Sequence, residues 1–330
     1  MKRALWAFFF VFLGAPITTG NFIEKNLSSP HYLAQDIKLN SKDDDLAYFP
    51  RPVSISFDQK NIYVVDAKED EIRVFSKSGA FLKSLGRRGQ APGEFESPQD
   101  IDIFDEKIYV SESSNSRIQI LDINGKYLGG FKVLFAPDQV SVLEKDRILV
   151  SELPLLPSPG EKMIHCFSSR GKLLWENVEA YFSGDSVYDT FRNFIILNKG
   201  DREDFFLIRK SDDRFISHFN KEGKATEKIE VAKDLSFKKI VLPLVPKKKE
   251  LFGFCWDCCF YKSQFYWVAP EYTAEKDLGP GKQLAVISLA GTIEAFIDLP
   301  DPVKKISVEN DLIYALDGEN YLRIFQILKK

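Results

Sequence analysis

Histidine, cysteine and methionine are scarce in this sequence, and the scarcity narrows the metal and redox chemistry open to it. The 330 residues include three histidines, four cysteines and two methionines. His31 precedes the first regular segment, His165 stands two residues before Phe167, and His218 stands one residue before Phe219. On equivalent strands the last two histidines would point to opposite faces. A zinc site made of three histidines is therefore not expected.

The sequence also lacks an excess of basic charge. With 45 Lys and Arg against 48 Asp and Glu, the formal net charge is −3, whereas nucleic-acid-binding domains usually carry a basic footprint. The small basic clusters Lys238-Lys239 and Lys247–Lys249 are interpreted as solvated loops. No nucleophile elbow or phosphate-binding glycine loop is present. Nucleic acid is not predicted as a partner, and no catalytic residue is assigned.

Three of the four cysteines are clustered in Cys255-Trp-Asp-Cys258-Cys259. No second Cys-x-x-Cys pair completes a tetrahedral zinc site. A disulfide from Cys255 to Cys258 or Cys259 is one interpretation, and it requires a turn, because residues three apart on a strand lie about 10 Å apart. The other interpretation is that Cys258 and Cys259 pack between structural units as small apolar residues.

The N-terminus has the pattern of a secretory signal peptide. Basic residues in Met1–Arg3 precede the apolar segment Ala4–Ala15, and small or polar residues follow up to Gly20, near which cleavage is expected. No second apolar run approaches the roughly 18 residues that span a membrane. The predicted organisation is a signal peptide over residues 1–20, an N-terminal segment over 21–49 and one domain over 50–330. The mature chain is expected to be secreted or periplasmic, without a transmembrane span.

The sequence does contain a motif that occurs five times, in which a large apolar residue is followed four positions later by a glycine. We call these five residues the echo glycines. These glycines are separated by 46, 46, 52 and 68 residues, and they are Gly79, Gly125, Gly171, Gly223 and Gly291. Repeats of about 40–50 residues are typical of propellers and solenoids. The glycine suits a hairpin turn that needs a positive φ.

Each repeat contains four short segments of alternating or β-branched residues, called A to D here, as expected for a four-stranded meander. In the first repeat, A to D cover Val53–Phe57, Ile62–Val65, Glu71–Phe75 and Phe81–Leu85. The sixth repeat ends after segment C, and Tyr32–Leu39 upstream could supply its missing strand. The sequence thus predicts an all-β, six-bladed β-propeller of four-stranded blades, with the last blade closed by an N-terminal strand. An open β-solenoid is the alternative.

Part of the sequence resembles the NHL repeat family. The match is carried by the following two segments: Gly86-Arg-Arg-Gly89-Gln-Ala-Pro92-Gly93-Glu94-Phe95 and Asn115-Ser-Arg117-Ile118-Gln119-Ile120-Leu121. It covers repeats one and two, while repeats three to six keep only the strand pattern. The resemblance implies a propeller used mostly as a binding platform, and related six-bladed folds include metal-dependent lyases and lactonases.

Four connections are longer than the repeat requires, and in a propeller all four belong to the face that carries the D–A and B–C loops. They are Leu153–Lys162, Ala180–Thr190, Asp234–Glu250 and Pro270–Gln283. Insertions on one face of a repeat protein often mark its binding face. The predicted binding residues on or beside these loops are Tyr181, Phe182, Tyr188, Trp256, Asp257 and Tyr272.

The sequence therefore favours a binding or scaffold module that contacts a protein, peptide or glycan through blades three to five, with no cofactor. The alternative is a hydrolase or lyase with Ca²⁺ or Zn²⁺ in the central channel. Its candidate oxygen ligands near the starts of A strands are Asp100, Asp138, Asn193 and Asp257. The ordinary role of such residues is to cap turns. A third alternative is a structural envelope protein without a pocket.

Overall fold

The computed structural model describes residues 29–37, 45–211, 214–231, 238–241, 250–253, 255–272 and 278–328. The predicted signal peptide lies outside the described residues. Among the described residues, none of the helical segments has the length and apolar character needed to cross a bilayer.

The architecture is an all-β, six-bladed propeller, as predicted. Strand β1 (His31–Asp36) and a short 3₁₀ turn (Asp45–Ala47) precede the first blade. Blades one to three each form a four-stranded antiparallel sheet in chain order. Their strands are β2 (Pro52–Phe57), β3 (Asn61–Asp66), β4 (Glu71–Ser76), β5 (Phe81–Leu85), β6 (Pro98–Phe104), β7 (Lys107–Glu112), β8 (Arg117–Asp122), β9 (Tyr127–Lys132), β10 (Pro137–Glu144), β11 (Arg147–Glu152), β12 (Lys162–Phe167) and β13 (Leu173–Glu179).

Blades four to six follow the same order, with insertions. A helix, α1 (Ser186–Arg192), leads into blade four, and an additional two-stranded hairpin lies between blades four and five. The strands are β14 (Ile195–Lys199), β15 (Phe205–Arg209), β16 (Phe215–Phe219), β17 (Ala225–Glu230), β18 (Lys238–Val241), β19 (Glu250–Gly253), β20 (Asp257–Tyr261), β21 (Gln264–Tyr272), β22 (Leu278–Ser288), β23 (Ile293–Asp298), β24 (Val303–Glu309), β25 (Leu312–Asp317) and β26 (Leu322–Leu328).

The ring closes through β1, which supplies the fourth strand of blade six. It pairs antiparallel with β26, from Leu33 opposite Leu328 to Asp36 opposite Phe325. It also pairs in parallel with β23, so that blades five and six share one eight-stranded sheet. Each A strand contacts the A strand of the next blade, and β24 contacts β2. The A strands therefore line a central channel.

The hydrophobic core is divided into six clusters, one between each pair of neighbouring blades. The B strands are buried along nearly their whole length because both faces of a blade pack against other blades. Their continuous apolar sequences, such as Ile62–Val65, follow from this packing. All five echo glycines have the positive φ expected of the C–D turn, between 75° and 91°.

Two of the four predicted loops turned out to contain strands. The length of Pro270–Gln283 predicts a B–C loop, but β21 and β22 continue pairing beyond a bulge at Val268 and Pro270, as far as Tyr272 opposite Leu278. Asp234–Glu250 was predicted to be a D–A loop. Instead, β18 lies within it and pairs with β19, which begins at its last residue. Pro270 lies at the bulge in β21, which is one of the few places where a sheet tolerates proline.

Candidate functional site

The channel end on the face with the D–A and B–C loops, called the loop face here, is lined by polar side chains from the starts of A strands. In four blades a shift of register follows the first residue of the A strand, as at Pro52, Pro98, Pro137 and Val303. Such bulges re-aim side chains at the rims of closed sheets. Ser54, Asp100 and Lys305 follow these bulges, Asp138 lies within the one in β10, and Asp257 begins β20. We call these five residues and Lys210 the channel mouth.

Three aspartates of the channel join neighbouring blades through backbone groups. Asp100 and Asp102 of β6 accept hydrogen bonds from the N–H groups of Val140 (2.9 Å) and Val142 (2.7 Å) in β10. Asp257 accepts from the N–H of Ile306 in β24 at 2.9 Å. These carboxylates satisfy N–H groups that face the channel, where no strand pairs with the A strand. Their first role is therefore structural.

The charges of the channel mouth influence one another strongly. Lys305 Nζ lies 3.3 Å from Asp257 Oδ1. Burial alone would lower the pKa of Lys305, but the carboxylates of Asp257, Asp100 and Asp138 raise it overall. Burial raises the pKa of Asp100 to about 7, although hydrogen bonds from Ser54 and Val140 and the charge of Lys305 oppose the shift.

Asp138 and Lys210 are less fully paired than the rest of the channel mouth. Burial raises the pKa of Asp138, opposed by Lys305 and by a 3.4 Å contact with Gln139 Nε2. Burial also lowers the pKa of Lys210, and the like charge of Lys305 lowers it further. Lys210 follows β15, where its N–H donates to Phe194 O and its carbonyl accepts from Cys255 N–H.

The predicted channel ligands do not assemble into a metal site. Within the described ranges, no group of three or more His, Cys, Asp or Glu side chains is placed to hold a metal ion. The Lys305 ammonium interacts with Asp100, Asp138 and Asp257 and supplies the positive charge there. Asn193 is elsewhere: it is fully buried at the end of α1, where its amide bonds to both backbone groups of Tyr181.

The connection from blade three to blade four carries an aromatic cluster. The rings of Tyr181 and Tyr188 are 5.9 Å apart in an edge-to-face arrangement. The Arg192 guanidinium lies over the Tyr181 ring at 4.2 Å, and it donates to Tyr188 Oη at 3.3 Å. Such cation–π contacts hold the rings in fixed positions. The structure thus brings together two of the six predicted binding residues, Tyr181 and Tyr188.

This connection is an ordered element because its polar residues bond within it. Asp185 caps α1 by accepting from Tyr188 N–H. The fully buried Asp189 accepts from the N–H groups of Ser183 and Gly184 and from the Ser183 hydroxyl. The length of the connection predicts a loop, and the helix was not predicted, although an Asp N-cap before Ser186–Arg192 is a helix-start signal.

Four large apolar side chains are exposed on the same part of the loop face, and we call them the apolar rim. They are Leu134 (105% exposed), Leu155 (42%), Leu156 (64%) and Phe182 (47%). Leu153 N–H, between β11 and β12, donates to Ala136 O, between β9 and β10. Leu156 N–H contacts Thr190 Oγ1, between β13 and β14, at 3.4 Å. These three connections therefore lie side by side. Grouped exposed apolar residues often mark interaction sites. Only Phe182 was identified from the sequence, because a leucine in a loop has no distinctive pattern.

The remaining predicted binding residues do not join the aromatic cluster. Trp256 is half-buried and packs against the core cluster between blades five and six. Asp257 is 3% exposed and belongs to the channel mouth. The backbone of Tyr272 ends β21, and its side chain lies outside the described residues.

The four cysteines pack between blades. Cys255 and Cys258 lie in the cluster between blades four and five, and Cys259 packs against the one between blades five and six. This confirms the predicted interblade packing. The chain bends at Trp256. Burial and a hydrogen bond with Cys255 raise the pKa of Cys258 well above its usual range. The disulfide remains a prediction.

The three histidines lie in different blades with separate partners. His31 contacts Asp298 at 3.3 Å, and His218 contacts Asp204 at 2.7 Å. His165 stacks on Phe135 and lies 3.6 Å from Glu152.

The glycine-rich segment before blade two, Gly86–Phe95, is connected to a buried carboxylate. Glu112, at the end of β7, is completely buried and accepts from Arg117, Asn115 and Gln119 side chains at 2.7 Å each, and from Glu96 N–H at 3.0 Å. Arg117 and Gln119 in turn donate to the carbonyl of Glu94. The acidic residue at the end of strand B thus has a structural role in blade two.

Comparison with known proteins supports the architecture. A family model described as a 6-bladed beta-propeller (DUF5128) matches residues 19–151. No curated protein matches the sequence. Similar solved structures include a putative exported protein from Bacteroides fragilis NCTC 9343, with 11% identity and a TM-score of 0.58, where the match covers 90% of this chain and 95% of that one.

Virginiamycin B lyase from Staphylococcus aureus is also similar, with 11% identity, a TM-score of 0.52 and coverage of 90% and 100%. A streptogramin B lyase has 12% identity, a TM-score of 0.52 and coverage of 90% and 98%. At such identities the likeness concerns the fold alone.

Proposed function

We propose that this chain is an exported, NHL-like propeller that binds a protein partner through the loop face of blades three to five. The observation that carries the proposal is the apolar rim beside the ordered cluster of Tyr181, Tyr188 and Arg192. A surface that is ordered before binding loses less conformational entropy on association. Aromatic and arginine side chains are also the residues most often found at the centres of interfaces.

Export is supported by the sequence pattern of residues 1–20. A protein of similar fold from Bacteroides fragilis is described as a putative exported protein. The position of Lys305 near three carboxylates favours binding over metal-dependent hydrolysis or lysis, because the ammonium already offsets part of the negative charge that would hold a metal ion.

The test is affinity capture from cells that produce the chain, with three tagged forms compared by mass spectrometry. The wild type is compared with Leu156→Asp/Phe182→Asp and with Leu174→Asp, a matched control on the outer strand of blade three that is 40% exposed. We expect a protein that is captured by the wild type and by the control and is lost from the rim variant. Equal capture by all three forms would contradict the proposal.

Export also makes a Cys255–Cys258 disulfide the expected state of the mature protein. The two thiols would lose two protons and two electrons to a disulfide-bearing oxidoreductase, which is reduced to a dithiol. Mass spectrometry after alkylation in denaturant should find two unmodified cysteines before reduction and none after it. Alkylation of all four cysteines without reduction would refute this expectation.

A further inference from the structure

The channel mouth contains one carboxylate and one ammonium whose charges are not neutralised by a close partner. Asp100 accepts hydrogen bonds from Ser54 and Val140, and Asp257 is paired with Lys305. By contrast, among the residues that the structure describes, the only hydrogen-bond contact of the Asp138 carboxylate is with Gln139 Nε2 at 3.4 Å. Within the described part of the chain, the Lys210 ammonium has no hydrogen bond and no ion pair shorter than 4.0 Å.

Both residues are fixed by their backbones at the channel mouth. The carbonyl of Asp138 accepts from the Ser111 hydroxyl of blade two. Lys210 is tied on one side to Phe194 of its own blade and on the other to Cys255 of blade five. Blades three and four are neighbours, and the charges of Asp138 and Lys210 influence each other. The two residues therefore place opposite charges near each other at the same end of the channel.

Leaving these charges unpaired is costly, because a buried ion without a close counter-ion loses hydration that nothing replaces. Burial shifts the pKa of each group towards its neutral form. Both side chains nevertheless keep part of their surface accessible. Perturbed groups that stay accessible in a cleft are typical of functional sites.

The charges of the whole channel mouth restrict the kind of ligand. A simple anion would be attracted by Lys210 but repelled by the carboxylates, and a simple cation would be attracted by Asp138 but repelled by Lys210 and Lys305. A molecule with both charges can place a carboxylate at Lys210 and an ammonium at Asp138. We propose that the channel mouth is a binding site for a small zwitterion, namely a free α-amino acid.

The proposal is tested by calorimetric titration of the purified chain with each of the proteinogenic amino acids, and with acetate and methylammonium as single-charge probes. At least one amino acid should bind at concentrations up to about 10 mM, and at that concentration it should also raise the melting temperature, since a ligand that binds only the folded state stabilises it. The single-charge probes should bind far more weakly. If no amino acid binds, the proposal is wrong.

The variants Lys210→Met and Asp138→Asn should each weaken binding by about thirtyfold or more, as expected when one partner of a desolvated charge pair is removed. Lys126→Met and Asp105→Asn, on exposed residues of blade two, are the matched controls and should bind as the wild type does. Lys210→Arg keeps the charge and should retain binding if Lys210→Met does not fold. Unchanged affinity in Lys210→Met and Asp138→Asn would also overturn the proposal.

This site does not depend on the proposed partner surface. Leu156→Asp/Phe182→Asp should lose the captured protein and still bind the amino acid, whereas Lys210→Met should lose the amino acid. Failure of either proposal is thus distinguishable from failure of the other.

Discussion

Blades two and three have the same strand order, yet they use equivalent positions on the loop face in opposite ways. In blade two, the acidic residue that ends strand B is Glu112, which is completely buried and accepts four hydrogen bonds. Two of its donors, Arg117 and Gln119, also bond to Glu94 O and so link it to the preceding glycine-rich segment. In blade three, the equivalent Glu152 has a histidine neighbour at 3.6 Å, and the following loop exposes Leu155 and Leu156.

The same contrast continues in the channel. Asp100 of blade two joins Ser54 of blade one to the backbone of blade three. Asp138 of blade three has one long contact with Gln139 and otherwise faces the channel. The loop face of blade two, whose polar groups are bonded within the fold, contributes to stability. The loop face of blade three, with its exposed apolar groups and weakly paired carboxylate, is available for binding.

The largest expected difference between the two blades concerns their acidic residues. Glu112→Ala should lower the free energy of unfolding by about 3–5 kcal/mol, because it leaves Arg117 and the glycine-rich segment without their acceptor. Glu152→Ala should cost only about 1 kcal/mol. Urea denaturation of both variants measures the difference, and equal losses would remove the contrast between the blades.

Glycine substitutions sharpen the same comparison. Gly86 has a φ of +80°, and an added Cβ would lie 2.2 Å from Cε2 of the Phe95 ring. Gly86→Ala should therefore cost about 3 kcal/mol, from backbone strain and displacement of a buried ring. Gly184, before α1, has a similar φ of +85° but open space at the Cβ position, and Gly184→Ala should cost about 1 kcal/mol. If Gly86→Ala and Gly184→Ala had equal melting temperatures, the result would argue against tight packing of Phe95 against the glycine-rich segment before blade two.

Asp100 should make stability depend on pH. Its folded-state pKa of about 7 is above that of the unfolded chain, so the folded state binds more protons between those values. Its contribution therefore becomes less favourable as pH rises from about 4 to 7. The drop in unfolding free energy between pH 5 and 8 should be smaller in Asp100→Asn than in the wild type. An identical drop in both would contradict the pKa shift.

The smallest effect on stability is expected at the apolar rim. Leu156→Asp should change the unfolding free energy by no more than about 0.5 kcal/mol, because the side chain is exposed and packs against little. Denaturation of this variant alongside Leu174→Asp measures it. A large loss at Leu156 would show that the rim belongs to the core of the fold.

The repeat made the architecture predictable, because the echo glycines and the buried B strands follow from local turn and packing requirements. The closing strand was also predictable, since the sixth repeat lacks one strand and Tyr32–Leu39 could fill the gap. The extended hairpin of β21 and β22 was missed because proline at a bulge resembles proline in a loop.

The site was only partly predictable. Tyr181 and Tyr188 could be identified by residue type and place, but Arg192 joins them only when α1 forms. Asp138 and Lys210 are far apart in sequence and come to the same end of the channel only because their blades are neighbours. No local pattern distinguishes Asp138, with its single contact, from Asp100, which is fully bonded.

The most direct test of the central claim is site-specific photo-crosslinking in producing cells, with the crosslinker at Leu156 of blade three or at Gln90 of the glycine-rich segment before blade two. Both residues are exposed on the loop face. If blades three to five form the binding surface, Leu156 should yield a discrete crosslinked protein that Gln90 does not yield. The same adduct at both positions, or an adduct at Gln90 alone, would contradict the account.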